Sequence, residues 1–226
     1  MTNLPQSDSE LWNAYLETEN LYLRSERNAA LDRFLDSFTQ LPDSTQYEWA
    51  LQFVADPTLQ NFKMRMPLFR RALLPHIAVA VENRVAGCAR WLSKHAILVF
   101  KCREIVNDLS GDFTEQGLLL TALDQDASDD ESRVRLVDLM SSHMEYTLHE
   151  LPWGVLYGHD CATPSQCGEM LNELDDFIAH TDRLGCTSDY AELVSACHFH
   201  YDNYARYLAD HAGASTYEEY ISQLDN

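Results

Sequence analysis

One pattern of residues in the sequence could hold a catalytic metal ion. His159 and Asp160 are adjacent, and further histidines and acids lie before and after them in the chain. A histidine, a His-Asp pair and a later aspartate can together bind a metal ion that activates water for hydrolysis. The residues that could complete the set are His143 or His149 before the pair and Asp202 or Asp210 after it.

The His-Asp pair resembles the signature of the HD phosphohydrolases, which are all-α metal-dependent hydrolases. The resemblance covers two residues and implies a metal site. Its members would be His143, His159, Asp160 and Asp202. Here the pair follows Gly158 and precedes Cys161-Ala-Thr-Pro, which predicts a loop, whereas the family carries the pair on a helix. We favour the alternative interpretation, a turn in which Asp160 caps the next segment.

Thiol and imidazole groups gather in the last third of the chain, so a zinc site and a Cys-His nucleophile are further alternatives. These residues are His159, Cys161, Cys167, Cys186, Cys197, His198 and His200. Zinc needs four such ligands in a tetrahedron, usually from closely spaced cysteine pairs. The Cys-x5-Cys and His-x-His spacings lack that pairing, and no Gly-x-Ser-x-Gly motif occurs. We therefore expect no cofactor, and a metal only if the hydrolase alternative holds.

Charge is the most unusual feature of the composition. The 226 residues include 36 acids and 16 bases, so the formal net charge is −20. Residues 1–60 carry ten acids and three bases, residues 61–110 carry three acids and nine bases, and residues 111–226 carry 23 acids and four bases. Such a chain repels nucleic-acid phosphates and anionic membranes, so we expect a cationic partner. The alternative is that the acidity serves solubility alone.

The cysteines and the lack of export signals favour a reducing compartment. The chain has six cysteines: Cys88, Cys102, Cys161, Cys167, Cys186 and Cys197. Residues 1–11 are polar and acidic, so we expect no signal peptide, reduced thiols and a cytoplasmic location. No apolar run approaches the roughly 18 residues of a membrane span, so we expect no membrane partner.

Apolar residues recur at helical spacing through most of the chain, which predicts an all-α fold. We expect a single domain over residues 1–226, built as a compact multi-helix bundle or a short helical-repeat-like array. Residues 1–60 would form acidic N-terminal helices, residues 61–110 basic and apolar central helices, and residues 111–226 acidic C-terminal helices.

Capping residues mark several helix ends. Ser7 with Glu10, and Ser215 with Glu218, predict capping boxes. The run Thr163-Pro-Ser-Gln predicts the start of a long helix, with threonine as the N-cap and proline at the first helical position. Gly185, Pro67 and Pro75 predict a helix end, a helix start and a helix break, respectively.

Residues 84–108 carry two apolar stripes, which predict one central, buried helix. Its remaining edge is basic. The bases on this edge are Arg90, Lys94 and Lys101, and Arg70 and Arg71 lie nearby in sequence. The basic edge could bind a phosphate or an acidic peptide. We favour the alternative that it pairs with acidic helices of the same chain.

The segment 151–158 is apolar, yet its prolines and glycines exclude a regular helix. An apolar connection between helices has to be packed, because it cannot remain in solvent. We therefore predict that the segment is buried, with Trp153 and Tyr157 against neighbouring helices. If it is exposed instead, these two aromatic residues become candidates for binding.

The predicted binding surface lies on the helix that follows Thr163. Glu169, Glu173 and Asp176 fall on one side of this helix, which has no role in a core. We expect a non-catalytic acidic helical binding protein, such as an intracellular inhibitor or immunity-type protein that docks a basic protein. The acidic loop at residues 124–131 is the other location for such a surface. The metal-dependent hydrolase centred on His159 and Asp160 is the alternative function, and a homodimer stays open.

Overall fold

A computed structural model describes residues 4–18, 23–59, 62–156 and 163–224. All regular elements in these residues are helices, and none of them forms a strand. The predicted all-α class is therefore confirmed. The chain divides into two compact units, Met1–Asp129 and Asp130–Asn226, which we call the N-terminal unit and the C-terminal unit. The single-domain organisation stays a prediction.

The N-terminal unit is built from short helices. Its α-helices are α1 (Gln6–Thr18), α2 (Arg24–Phe38), α3 (Asp43–Ala55), α4 (Met66–Leu68), α5 (Leu74–Glu82), α6 (Cys88–Ser93), α7 (Ala96–Lys101) and α8 (Glu115–Gln125). Two 3-10 turns lie at Pro57–Leu59 and Arg103–Ile105. The helix α1 packs on α2, α3 packs on α5, and α6 packs on α8.

Aromatic side chains dominate the core of the N-terminal unit. Trp12 of α1 lies 5.0 Å from Phe34 of α2 and 5.3 Å from Trp49 of α3, measured between ring centroids. Such tilted and edge-on pairs add about 0.5–1.5 kcal/mol beyond the apolar area that they bury. A buried carboxylate also joins α1 to α2, because Ser37 donates a 2.7 Å hydrogen bond to Asp8.

Two prolines shape the helical stretch from α4 to α5. Pro67 lies in the first turn of α4, and Pro75 lies in the first turn of α5, as the sequence predicts. Between them, Phe69–Leu73 forms a wider π-helical turn. Proline has no amide hydrogen and its ring crowds the preceding turn, so the regular hydrogen-bond ladder is interrupted before Pro75.

The prediction of one buried helix over residues 84–108 is wrong. This segment forms α6, α7 and a 3-10 turn instead. The helix breaks at His95, where φ is −117° and ψ is 21°, and the His95 amide donates to the Leu92 carbonyl at 2.8 Å in a tighter turn. The break leaves Ile97 and Phe100 of α7 exposed.

The C-terminal unit is a helical bundle. Its helices are α9 (Asp130–His149), α10 (Pro164–Leu184), α11 (Ala191–Ala209) and α12 (Tyr217–Leu224). The helix α10 packs against α9 and α11, and α11 also contacts α9 and α12. A short 3-10 turn, Thr187–Tyr190, connects α10 to α11, so these two helices form a hairpin.

Buried polar contacts tie the bundle together beside its apolar core. The hydroxyl groups of Thr147 on α9 and Tyr201 on α11 lie 2.7 Å apart. The hydroxyl of Tyr217 on α12 lies 3.0 Å from Nδ1 of His200 on α11. Burial raises the pKa of both tyrosines, so their hydroxyl groups keep their protons and can act as donors.

Two of the predicted capping boxes are wrong, because the helices begin elsewhere. Ser7 lies inside α1, whose first amides donate to the carbonyl of Pro5 at 3.0 Å. The cap of α12 is displaced by one residue from the predicted pair. The amide of Glu219 donates to the hydroxyl of Thr216 at 3.1 Å, and the Glu219 carboxylate accepts from the amide of Ser215 at 2.7 Å.

Candidate functional site

The predicted acidic surface lies on α10, whose ends are set by local signals. Thr163 caps its first turn, because its hydroxyl accepts a hydrogen bond from the amide of Gln166 at 3.3 Å. Pro164 occupies the first turn, and Gly185 ends the helix in the left-handed conformation at φ 69°. The predicted bounds of this helix are confirmed. Its buried side carries Cys167, Met170, Leu174, Phe177 and Thr181.

Three carboxylates form what we call the acidic stripe of α10. Glu169 and Asp176 are exposed, and Glu173 between them is half-buried. At 100° per residue the three positions span about 60° of the helix surface. Within the described part of the chain, none of the three forms an ion pair. The stripe is therefore a negative surface whose carboxylates are not neutralised by a direct ion pair in the described residues.

The acidic stripe borders a buried cation. Arg133 of α9 is only 2% exposed, and its Nη1 lies 3.0 Å from Nδ1 of His180 on α10. Burial and the neighbouring guanidinium lower the pKa of His180, while Asp176 opposes this effect. His180 is therefore neutral at pH 7 and adds no positive charge beside the stripe.

Only two members of the predicted metal set, His143 and Asp202, lie in the described residues. His159 and Asp160 lie outside the described residues. His143 is exposed on α9, and Asp202 on α11 pairs with Arg206 at 2.7 Å. In the described ranges no group of three histidine, cysteine or acidic side chains is placed to hold a metal ion. The hydrolase alternative stays a prediction, because its central pair is not described.

The thiols in the described ranges are free, and most of them are buried. These are Cys88, Cys102, Cys167, Cys186 and Cys197, whereas Cys161 lies outside those ranges. Burial raises the pKa of Cys88 and Cys167 to about 11, and it also raises the pKa of Cys102 and Cys197. Since the thiolate is the nucleophile, these four residues are poorly suited to covalent catalysis at neutral pH.

Trp153 does not pack as predicted. Its side chain is 62% exposed, although Val155 and Leu156 after it are buried. A turn places Trp153 at the surface, because its amide donates to the carbonyl of Glu150 at 3.1 Å. The prediction of burial is therefore wrong for Trp153, which becomes an exposed candidate for binding. Tyr157 lies outside the described residues.

One member of the predicted basic edge, Arg90, and the two arginines near it in sequence pair with acids of the N-terminal unit. Arg70 pairs with Glu104 at 3.0 Å and Arg71 with Asp36 at 2.8 Å. Arg90 lies 3.5 Å from the buried carboxylate of Asp129. The predicted acidic loop at residues 124–131 begins inside the last turn of α8, where Asp124 pairs with Arg84 at 2.5 Å. These contacts agree with the interpretation that the basic residues pair with acids of the same chain. Asp124 and Asp129 belong to the acidic segment 124–131, so two carboxylates of that alternative binding surface already have a partner within the chain.

An apolar groove in the N-terminal unit was not predicted. It has a volume of about 570 Å³ and lies between α7 and the start of α8. Its lining includes Val99, Val106, Leu109 and Phe113, together with Ile97 and Phe100. Ile97 is 72% exposed and Phe100 is 70% exposed. A contiguous exposed apolar surface of this kind is a candidate site of interaction.

Comparisons of the chain with protein-family models, with curated proteins and with solved structures found no match. No helix in the described parts of the chain is long and apolar enough to cross a membrane.

Proposed function

We propose that the chain is a non-catalytic binding protein whose acidic stripe on α10 docks a basic protein. The observation that carries the proposal is the set of three neighbouring carboxylates, Glu169, Glu173 and Asp176, that have no ion-pair partner in the described residues. An inhibitor or immunity-type protein that neutralises a basic toxin or nuclease would use such a surface.

The charge distribution supports a basic partner. Residues 130–226 contain 18 acids and four bases, whereas residues 1–129 contain 18 acids and 12 bases. The field around the C-terminal unit is therefore strongly negative, which speeds the approach of a cationic protein. The rigidity of α10 supports the same proposal, because a capped helix packed on two neighbours presents its carboxylates at fixed positions.

The test is a combined reversal of the stripe, Glu169→Lys, Glu173→Lys and Asp176→Lys. Proteins captured from the source cells by the unaltered chain are purified, and their affinity for each variant is measured by titration calorimetry. We expect the triple variant to lose about tenfold or more in affinity, because its charges now repel the partner. Binding to the unaltered chain should weaken steeply as salt rises from about 0.05 to 0.5 M, since salt screens exposed charges.

A matched control separates the stripe from net charge. Asp138, Glu192 and Glu218 are exposed on α9, α11 and α12, respectively. Their combined reversal to lysine changes the net charge by the same amount but leaves the stripe intact. If both triple variants bind equally well, or lose affinity equally, the stripe is not the docking surface. Circular dichroism of each variant checks that the helices are retained.

A further inference from the structure

The apolar groove has a buried base and an exposed rim. Val99 and Val106 are buried at its base, and Leu109 and Phe113 are partly buried beside them. Together they join the groove to the core of the N-terminal unit, so its base consists of packed core side chains. A volume of about 570 Å³ is enough to accept two large apolar side chains.

The rim of the same groove presents two such side chains. Ile97 and Phe100 project from consecutive turns of α7 and are each about 70% exposed. The guanidinium of Arg103 lies 5.7 Å from the centre of the Phe100 ring, which holds the ring at the rim. The surface therefore carries apolar projections and an apolar recess side by side.

Charges of both signs also line the groove. Arg103 lies on one side and Asp112 on the other. In the described chain neither residue forms an ion pair, although Asp112 accepts a 2.9 Å hydrogen bond from the amide of Thr114. One surface thus holds a cation and an anion, and an apolar projection beside an apolar recess. Such a surface can pair with a second copy of itself, because each feature meets its complement on the other copy.

We propose that this groove is a two-fold interface between two copies of the chain. Ile97 and Phe100 of each copy enter the groove of the other, and Arg103 of each copy meets Asp112 of the other. A two-fold axis makes every such contact occur twice. This interface lies in the N-terminal unit and is independent of the acidic stripe on α10.

The position of the groove favours a second copy over a basic partner. The groove lining carries one base, Arg103, and two acids, Asp112 and Glu115, in a chain of net charge −20. Two copies that meet there bring together surfaces of small net charge, so the repulsion between them is weak. A basic protein would be drawn to the C-terminal unit instead.

The test begins with the association state of the unaltered chain by sedimentation equilibrium at several concentrations. We expect a monomer-dimer equilibrium. Ile97→Ser with Phe100→Ser should raise the Kd of the dimer by about tenfold or more, because central apolar anchors dominate interface energies. Leu120→Ser is the matched control, since Leu120 is an exposed leucine on α8 that does not line the groove. It should leave the Kd unchanged.

Charge reversal gives a second, independent measurement. In Arg103→Glu and in Asp112→Arg, each homodimer would oppose like charges at both ion pairs, so each variant alone should be monomeric. An equimolar mixture of the two restores opposite charges at both pairs and should form a heterodimer. This recovery also shows that both variants are folded.

Three results would overturn the proposal. They are a monomeric unaltered chain at all concentrations, a dimer that survives the double serine variant, and charge variants that fail to associate when mixed. A groove that binds another protein or a small apolar molecule would give the first result. Affinity for the basic partner should be unchanged in the groove variants, so the outcome here is separate from the test of the acidic stripe.

Discussion

At the level of single residues, the contact between Arg133 and His180 determines the tautomer and the protonation state of the histidine. A guanidinium can only donate hydrogen bonds, so the Nδ1 atom of His180 must accept at 3.0 Å. The imidazole proton then lies on Nε2. Protonation of Nδ1 would place a second positive charge beside a nearly fully buried cation, and this is part of why the pKa of His180 is lowered.

The pH dependence of folding follows from this contact. The unfolded chain takes up a proton on His180 near pH 6.5, whereas the folded chain does so only at lower pH. The contribution of His180 to stability is therefore complete above about pH 6.5 and is lost as the pH falls toward the lowered pKa. In His180→Gln, the loss of unfolding free energy between pH 7.5 and 5.5 should be smaller than in the unaltered chain, as measured by urea denaturation.

Other histidines have to be separated from this effect. Burial also lowers the pKa of His76 and His200, so the unaltered chain loses stability on acidification from all three sites. Only the difference between the variant and the unaltered chain reports on His180. Asn172→Gln at an exposed position of α10 is the control, because it removes no titratable group, and it should keep the full pH dependence. An unchanged pH dependence in His180→Gln would contradict the assignment of Nδ1 as the acceptor.

The sequence predicts some individual residues well and others poorly, depending on how local their environment is. Cys88 and Cys197 are buried, as their helical spacing indicates. Trp153 is exposed, because an irregular segment has no periodicity that tells which side chains face inward. The composition of residues 151–158 predicts correctly that part of the segment is buried, but it assigns the burial to the wrong side chain.

At the level of elements, the connection after α9 depends on a close contact between the backbone of Gly154 and the ring of Tyr204. Gly154 has φ 151°, and a Cβ atom built there would lie 2.5 Å from ring carbons of Tyr204 on α11. Tyr204 is itself buried and packs edge-on against Tyr217, with 5.0 Å between ring centroids. The glycine therefore lets the connection lie against the ring of Tyr204.

Gly154→Ala should lower the free energy of unfolding by about 1–3 kcal/mol, because the added methyl group overpacks this contact. Chemical denaturation measures the change. Gly168→Ala is the matched control, since Gly168 lies within α10 and an added Cβ meets no atom within 4 Å. The control should stabilise the chain by about 0.5–1 kcal/mol, as alanine is the better helix residue. Equal stability of Gly154→Ala and the unaltered chain would show that the connection does not approach Tyr204.

Helix ends were predictable where the signal is local, as at α10. The hydroxyl of Thr163, the ring of Pro164 and the left-handed Gly185 act within one turn of their own positions. The break between α6 and α7 was not predictable in this way. A turn at Lys94 and His95 separates the two helices. This turn changes the spacing of the apolar residues so little that both apolar stripes continue across it. The periodicity therefore indicates one helix where there are two.

One feature of the sequence could have indicated the apolar groove. On a helical wheel for residues 84–108, Ile97 falls among Arg90, Lys94 and Lys101, outside both apolar stripes. An isolated isoleucine on a basic edge needs no explanation by itself. Its neighbour Phe100, also outside the stripes, makes the pair notable. The recess that they adjoin involves residues after α7, and the sequence contains no information that places those residues together.

At the level of the whole molecule, the two units carry very different charge loads. Each contains 18 acids, but only four bases offset them in residues 130–226, against 12 in residues 1–129. The net charges are therefore −14 and −6. Repulsion among like charges opposes a compact state, so the C-terminal unit loses more stability to its own charge than the N-terminal unit does.

Added salt should therefore stabilise the C-terminal unit more than the N-terminal unit. Raising sodium chloride from about 0.01 to 0.1 M shortens the Debye length from about 30 to 10 Å, which screens repulsion between separated acids. In hydrogen exchange followed by mass spectrometry, amides of α10 and α11 should gain more protection than amides of α2 and α5. Sucrose at matched osmolality is the control, because it stabilises by exclusion from the surface and should act on both units alike. Equal gains with salt would mean that the acids of the C-terminal unit are offset by contacts within the fold, and the acidic stripe would then lose its support as an unneutralised surface.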